Sequence, residues 1–182
     1  MSHDAVHGEG SDPMLSGKAQ RDAEFTSFVS AAMPELSRIA WFLTGEVHSA
    51  NELVQAALVK TYVAWGRVRR GEEIAFTRRV MVNHRTDQWR RKRREVLSGE
   101  PRETPAQQSQ VDDTDVIDGL VRALKTLPDK QRRVVVLRYY CDLSEKQVAE
   151  EMKMSLSAVK SAASRGLSAL REHVTEVEEW AR

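Results

Sequence analysis

Residues 95–113, EVLSGEPRETPAQQSQVDD, hold two prolines, a Ser-Gly pair and a run of Gln, Ser and acid, and offer no apolar face to bury. On both sides of this stretch apolar residues recur at helical spacing. A chain interrupted in this way does not build one core through its middle. It is expected to fold as two small helical domains, residues 21–95 and 114–174, joined by a flexible acidic linker over 96–113. The 182 residues leave enough chain on each side for a real core. No run of alternating apolar and polar residues is long enough for a convincing strand, so the expected fold class is all-α. Residues 1–20, rich in Gly, Ser, Asp and His without apolar periodicity, read as a disordered N-terminal tail, and 175–182 as an acidic C-terminal tail.

Within the first domain, Phe25, Phe28, Val29 and Ala32 share a face, and Pro34 is expected to open a second helix. Leu36, Ile39, Ala40 and Leu43 continue the apolar stripe until Thr44-Gly45 stops it. Leu53, Ala57, Val59 and Val63 mark a third helix. Gly71 breaks the chain before a fourth, from 74 to about 94, with Phe76, Val80 and Trp89 among its apolar positions. In the second domain Val116, Ile117, Leu120, Val121, Leu124 and Leu127 form a stripe, and Pro128 suits the first turn of the helix holding Val134, Val135, Val136, Leu137 and Tyr140. Ser144 and Gln147 stand in capping-box spacing ahead of Val148, Ala149 and Met152. A Lys153-Met154-Ser155 turn leads, with Ser155 as cap, into a last helix whose inward stripe is Val159, Ala163, Leu167 and Leu170.

The formal net charge of +1 hides an asymmetry: residues 67–94 alone carry 11 basic and 3 acidic side chains. Such a block in an otherwise acidic chain is a footprint for polyphosphate, usually nucleic acid. A solvated basic helix would have the same composition. A helix lying on a membrane would too, but the apolar face it needs is small. On the last helix Ser157, Lys160, Ser161, Ser164, Arg165, Ser168 and Arg171 point away from the apolar stripe, with four basic residues and no acid between Lys153 and Arg171. Small residues between basic ones let a helix approach a major groove closely. This favours a DNA-reading helix-turn-helix over an ordinary helical hairpin.

Other chemistries find little support. Cys141 is the single cysteine, which excludes an internal disulfide and a cysteine-cluster zinc site. His3 and His7 are four apart but lack further ligands, and His48, His84 and His173 are scattered, so no metal is expected. There is no phosphate-cradling glycine loop, no Ser/His/Asp set at telling spacing and no HExxH. No catalytic residue and no cofactor are therefore expected, and Cys141 reads as buried filler. No stretch approaches the ~18 apolar residues of a membrane span, and the N-terminus lacks the charged start and apolar core of a secretory signal. A cytoplasmic, non-enzymatic protein without membrane insertion is expected.

Four segments, in order, resemble the extracytoplasmic-function (group 4) class of sigma-70 family RNA polymerase sigma factors, of the actinobacterial SigE-like type. Residues 49–55, SANELVQ, are similar to that family's acidic A-E-D-L-V-Q motif; residues 75–83, AFTRRVMVN, with 87–91, DQWRR, resemble its −10-melting segment. Residues 127–132, LPDKQR, resemble the L-P-x-x-x-R opening of its −35-reading domain, and 155–161, SLSAVKS, with Arg165, its recognition helix. The resemblance covers residues 21–174. It departs from the pattern at Ser49, Asn51 and Ala56, where acids are common, at Lys153, where glycine is, and at Ala158, Ala162 and Ala163, where larger polar residues are.

The resemblance implies a sigma region 2 helical bundle followed by a sigma region 4 helix-turn-helix. Core polymerase would be bound through Asn51, Glu52, Leu53, Val54, Gln55 and Leu58, on the clamp of the beta-prime subunit, with the beta-subunit flap as a second contact. The −10 element would be bound by Arg78, Arg79, Asn83, Arg85, Asp87, Gln88, Trp89, Arg90, Arg91, Arg93 and Arg94, with Asn83 testing a base edge. Trp89 reads equally as a base-stacking platform and as a core residue. Residues 67–73 would help form a pocket for a flipped base, and the −35 element would be read as duplex by Ser157, Lys160, Ser161, Ser164 and Arg165. Promoter DNA and an anti-sigma factor are the further partners implied. The alternative function is a free-standing helix-turn-helix regulator that never touches polymerase.

Overall fold

A computed structural model describes the backbone of residues 13–98 and 115–180, and the side chains of residues 17–85 and 117–173. The interdomain stretch 99–114 and the ends 1–12 and 181–182 lie outside the described residues, so the flexible linker and most of the N-terminal tail are not tested. Every element among the described residues is helical.

Helix α1 spans Pro13–Thr44. It departs from the sequence reading in two places. It begins at Pro13, inside the stretch expected to be disordered, where a proline fits a first turn that has no donor to lose. It also passes through Pro34 instead of restarting there. The ring removes one backbone donor, but Ala32, Leu36, Ile39, Ala40 and Leu43 are all buried on one stripe around it. Burying each large aliphatic side chain is worth roughly 1.5–3 kcal/mol, so the stripe outweighs the lost bond. The helix stops at Gly45, whose φ of +75° allows the left-handed close and whose N–H donates to the Trp41 carbonyl at 2.6 Å.

Helix α2, Val47–Ala64, returns against α1 and buries Ala50, Leu53, Val54, Ala57 and Thr61. A 3-10 turn, Trp65–Arg67, and Gly71 at φ +84° lead to α3, Glu73–Ser98. Between α2 and α3 the buried hydroxyls of Thr61 and Thr77 lie 3.2 Å apart, and each is within hydrogen-bond reach of a carbonyl one turn back in its own helix. At the far end Phe25 packs on Tyr62 and Trp65, and Phe28 on Trp65, with ring centroids 5.0–5.1 Å apart. The Tyr62 hydroxyl donates to Asp22, which holds its pKa above the usual tyrosine value.

The second half begins with α4, Asp115–Thr126, and α5, Asp129–Val135. Instead of ending at Val135 the chain widens into a π-helical turn, Val136–Tyr140, with the Cys141 N–H reaching back to the Val136 carbonyl at 3.0 Å. Helix α6, Glu145–Met152, has the capping box expected: Gln147 N–H donates to Ser144 Oγ at 3.2 Å and Ser144 N–H to Gln147 Oε1 at 2.8 Å. Lys153 then takes the left-handed conformation, φ 52°, which glycine adopts at least cost. Helix α7, Leu156–Trp180, is capped by Ser155 Oγ, which accepts from the Ala158 N–H at 3.2 Å.

The two halves pack on each other. Phe42 of α1 meets Tyr140 edge to face at 4.8 Å between centroids, and the Lys125 stem lies over Gly45. Buried side chains from Ala32 through Ala163 form one continuous cluster across both halves. Arg132, the arginine of LPDKQR, explains itself here. Its Nη2 donates to the carbonyls of Lys125 and Leu127 at 3.1 and 3.2 Å, and its Nη1 to those of Leu43 and Thr44 at 3.5 and 3.3 Å. One guanidinium thus satisfies carbonyls left open at the C-terminal ends of α1 and α4. Burial lowers its pKa, with Asp129 working in the opposite direction.

Candidate nucleic-acid interface

The outer face of α7 is set by its inner one. Val159, Ala162 and Ala163 are buried against the second core, which turns Ser157, Lys160, Ser161, Ser164, Arg165, Ser168 and Arg171 outward, all exposed. Gly166 fixes how closely α7 can lie on α5, since a Cβ there would stand 2.7 Å from Val135 Cγ2. Lys160 reaches Glu145 at 3.7 Å across the turn, and Arg165 Nε donates to the Ser161 carbonyl at 3.2 Å. The face is a row of small hydroxyls between cations, available to a duplex without rearrangement.

The arginine face of α3 is different. Asn83 and Arg79 are exposed, but Arg78 is only 9% exposed. Its Nη2 donates to Glu151 Oε1 on α6 at 2.9 Å, and Arg79 Nε lies 4.0 Å from the same oxygen. Arg85 Nε lies 3.5 Å from Asp129 Oδ1 on α5, while Asp129 Oδ2 sits 2.9 Å from Arg133. The structure therefore brings Arg78, Arg79, Asn83 and Arg85 onto one stretch of α3, but sets the three arginines against acids of the other half. The side chains of Asp87, Gln88, Trp89, Arg90, Arg91, Arg93 and Arg94 lie outside the described residues, so the two readings of Trp89 are not separated.

Beside α3, an open cleft of about 920 Å³ is lined by Gln20, Arg21 and Phe28 of α1 and by Trp65, Val68 and Arg70 around the 67–73 loop. Arg70 reaches Glu24 at 3.6 Å across it.

On α2, Asn51, Glu52 and Gln55 are exposed, with Glu52 3.3 Å from His48. Leu53 and Val54, grouped with them from the sequence, are 2% and 3% exposed. They hold α2 to the first core from inside and offer no surface of their own; Leu58 is half-buried. The apolar residues that do face out are Val59 and Val63, one turn apart below Gln55. Helical spacing alone carried that signal, since 55, 59 and 63 share a face. The acids Glu151 and Asp129 were missed as partners, because nothing local marks the other half of an ion pair as distant in sequence as the 73 residues from Arg78 to Glu151.

Among the described residues there is no group of three or more His, Cys, Asp or Glu able to hold a metal, and no helix is long and apolar enough to cross a membrane. Burial pushes the Cys141 thiol up to about 11, which makes it a poor nucleophile at neutral pH.

Comparison with known proteins bears on the same segments. Residues 28–95 match the family described as Sigma-70 region 2, and residues 117–170 match Sigma-70 region 4. The chain is 37% identical over 153 residues to the RNA polymerase sigma-E factor of Streptomyces coelicolor, covering 83% of this chain and 86% of that relative. It is 25% identical to the Bacillus subtilis ECF RNA polymerase sigma factor SigW, over 88% of this chain and 93% of that one. In fold it is similar to the sigma factor RpoE of Bartonella quintana, solved with the anti-sigma factor NepR, at a TM-score of 0.66 and 23% identity over 84% of this chain and 97% of that one.

Proposed function

The chain belongs to the sigma-70 family of RNA polymerase sigma factors, as a member of its extracytoplasmic-function class, and we propose that its two halves divide promoter reading between an open surface and a covered one. In this reading residues 21–95 bind core polymerase and the −10 element, and residues 114–174 read the −35 element. The observation that carries it is the exposed, one-signed face of α7 held on a capped helix-turn-helix, with Asn83 exposed on an arginine-bearing helix of the other half.

Lys160 and Arg165 meet phosphates or guanine edges of the −35 duplex, and Ser157, Ser161 and Ser164 allow the close approach. On α3, Arg78, Arg79 and Arg85 neutralise non-template-strand phosphates, so binding weakens steeply with salt. The arginines at 90, 91, 93 and 94 extend that track. Asn83 tests a base edge, which requires the base to leave the stack at a cost of a few kcal/mol. The cleft beside the 67–73 loop, with Trp65 and Arg70 on its wall, has the aromatic and cationic lining that suits such a base. Core polymerase docks on Asn51, Glu52 and Gln55 of α2, through the clamp of its beta-prime subunit. The protein acts in the cytoplasm, without a chemical step of its own. An anti-sigma factor is the expected regulatory partner, the RpoE relative having been solved in complex with one.

The test is run-off transcription with purified core enzyme on promoter fragments. Wild-type protein should direct discrete start sites, and Asn83→Ala should lose discrimination against −10-mutated promoters. Unchanged activity and unchanged discrimination would remove Asn83 from this role. A chain that binds duplex DNA well alone and pulls down no polymerase subunit would be a free-standing regulator instead.

A further inference from the structure

The turn between α2 and α3 carries Arg67, Arg69 and Arg70, all exposed, beside the cleft that the −10 reading uses. Its own bonds are short-range. The Val68 N–H donates to the Trp65 carbonyl at 3.2 Å, the Glu72 N–H to the Arg69 carbonyl at 3.0 Å, and Arg69 lies 3.9 Å from Glu72. Gly71 adds freedom, with φ +84° and nothing within 4 Å of where a Cβ would stand. Bonds of this kind close the turn on itself without fixing its direction. A turn left so would be ordered by its ligand, at a cost in free energy at the moment of binding.

Among the described residues, the ring contacts and ion pairs that tie residues 65–70 to another helix beyond Glu72 come from the N-terminal part of α1. Phe25 lies edge-on to both Tyr62 and Trp65, with centroids 5.0 Å away, and Phe28 meets Trp65 at 5.1 Å. The Tyr62 ring is itself held: its hydroxyl donates to Asp22 Oδ1, and the Arg21 guanidinium stands 5.1 Å from its centroid. Glu24 accepts from Gln20 at 3.0 Å and reaches Arg70 at 3.6 Å, an exposed pair that is weak by itself. Residues 20–25 lie ahead of the stretch 28–95 that matches region 2, and none of them is buried. A segment that buries so little, yet touches Tyr62 and the turn through four side chains, contributes more to where the turn points than to how stably the half folds.

We propose that residues 20–25 of α1 are a brace that sets the direction of the 65–70 turn. Asp22 and Phe25 are positioning residues, acting through Tyr62 and Trp65 on the arginines that meet the unpaired −10 strand. The proposal rests on the assignment of this half to the −10 element. The brace orders the turn when the chain folds, so that the cost does not fall on strand binding. It serves −10 opening alone, and neither polymerase docking nor −35 reading depends on it.

The experiment uses the full chain with core polymerase on a promoter fragment found by the run-off assay, with 2-aminopurine in the non-template strand of the −10 element. Probe fluorescence reports unstacking, and affinities for core polymerase and for the −35 duplex are measured in parallel. Phe25→Ala should lower the equilibrium constant for unstacking about tenfold, and Asp22→Ala or Tyr62→Phe about threefold each. The double variant of Asp22→Ala with Tyr62→Phe should fall no further than either alone, because both remove one hydrogen bond. Asp22→Asn keeps an acceptor and should stay at the wild-type level. Core affinity and −35 binding should hold in all of them. Tyr62→Phe, which keeps the ring, carries the test should Phe25→Ala lose helical content by circular dichroism. Wild-type unstacking in Asp22→Ala and Phe25→Ala would overturn the proposal. So would a parallel fall in unstacking, −35 binding and denaturation midpoint, the mark of packing alone. Failure of the wild-type complex to unstack the −10 element would instead strike at the −10 assignment itself, before any variant is compared.

Discussion

Helices α3 and α7 both carry arginines that the proposed function gives to DNA, yet one set is partly covered and the other open. On α7 every outward cation is at the surface, because the face opposite is satisfied by a packed apolar core. On α3 the apolar side, Met81 and Val82, is equally well buried, but Arg78 and Arg85 are met by acids of the other half. Charge alone describes what a helix can bind. What decides whether it binds is which neighbour has reached the charge first.

The contrast breaks most forcefully from below α7. Leu137 is fully buried where α5 passes into the π-helical turn. Leu137→Ala should cost roughly 2–5 kcal/mol in urea denaturation, and −35 duplex binding should fall with it. Loss of stability without loss of duplex binding would show that the recognition face does not depend on that core.

A second comparison sharpens the open face. Arg165→Ala should weaken promoter-duplex affinity by about 1–3 kcal/mol if it contacts a base, or flatten the salt dependence uniformly across sequences if it contacts phosphate. Electrophoretic titration at several salt concentrations distinguishes the two. An unchanged affinity and slope would remove Arg165 from the interface.

The turn joining the two helices offers a smaller change of opposite sign. Lys153 holds φ 52°, where an L side chain costs about 1–2 kcal/mol and glycine costs none. Lys153→Gly loses part of that gain to the greater freedom of its unfolded chain. It should therefore stabilise by about 1 kcal/mol and leave both DNA faces as they are, read as a rise in denaturation midpoint.

Smallest at neutral pH is the titration of Cys141. Its folded pKa is raised from 9.0 to about 11 by burial, so the folded state holds its proton longer than the unfolded one. The resulting stability is complete below pH 9.0 and is lost as pH rises toward about 11. Labelling by a disulfide reagent at pH 8 should be slow compared with the unfolded chain, and prompt labelling would refute this.

Most of the helices were legible in the sequence because their signals are local. Ser144 and Gln147 announce a capped start, Thr44-Gly45 a stop, and the stripe from Val159 to Leu170 a buried face. The turn at Lys153 is legible only as a departure from the glycine of the resembled family, and its left-handed angle follows from the structure. Pro34 misled, since a local rule about proline says nothing of the apolar stripe that carries α1 past it. The π-helical turn after Val135 has no sequence mark either. Of the candidate site, the α7 face could be read directly, for alternation of small and basic residues is enough to define it. The state of Arg78 could not be read, because it depends on Glu151, a residue distant in the chain and unremarkable where it stands. Leu53 and Val54 show the same limit in reverse: a family motif marks a helix, not which of its side chains face out.

Two turn glycines described above share a backbone sign and differ in company. Gly71, at φ +84°, has nothing within 4 Å of where a Cβ would be, so asparagine, which accepts that conformation, would fit there at little loss. Gly45, at φ +75°, would place a Cβ 2.3 Å from Lys125 Cγ, and Lys125 would have to swing off Glu46, which it reaches at 3.7 Å. Random mutagenesis should therefore recover asparagine at position 71 more readily than at position 45, where any side chain must first displace the Lys125 stem that joins α4 to the end of α1.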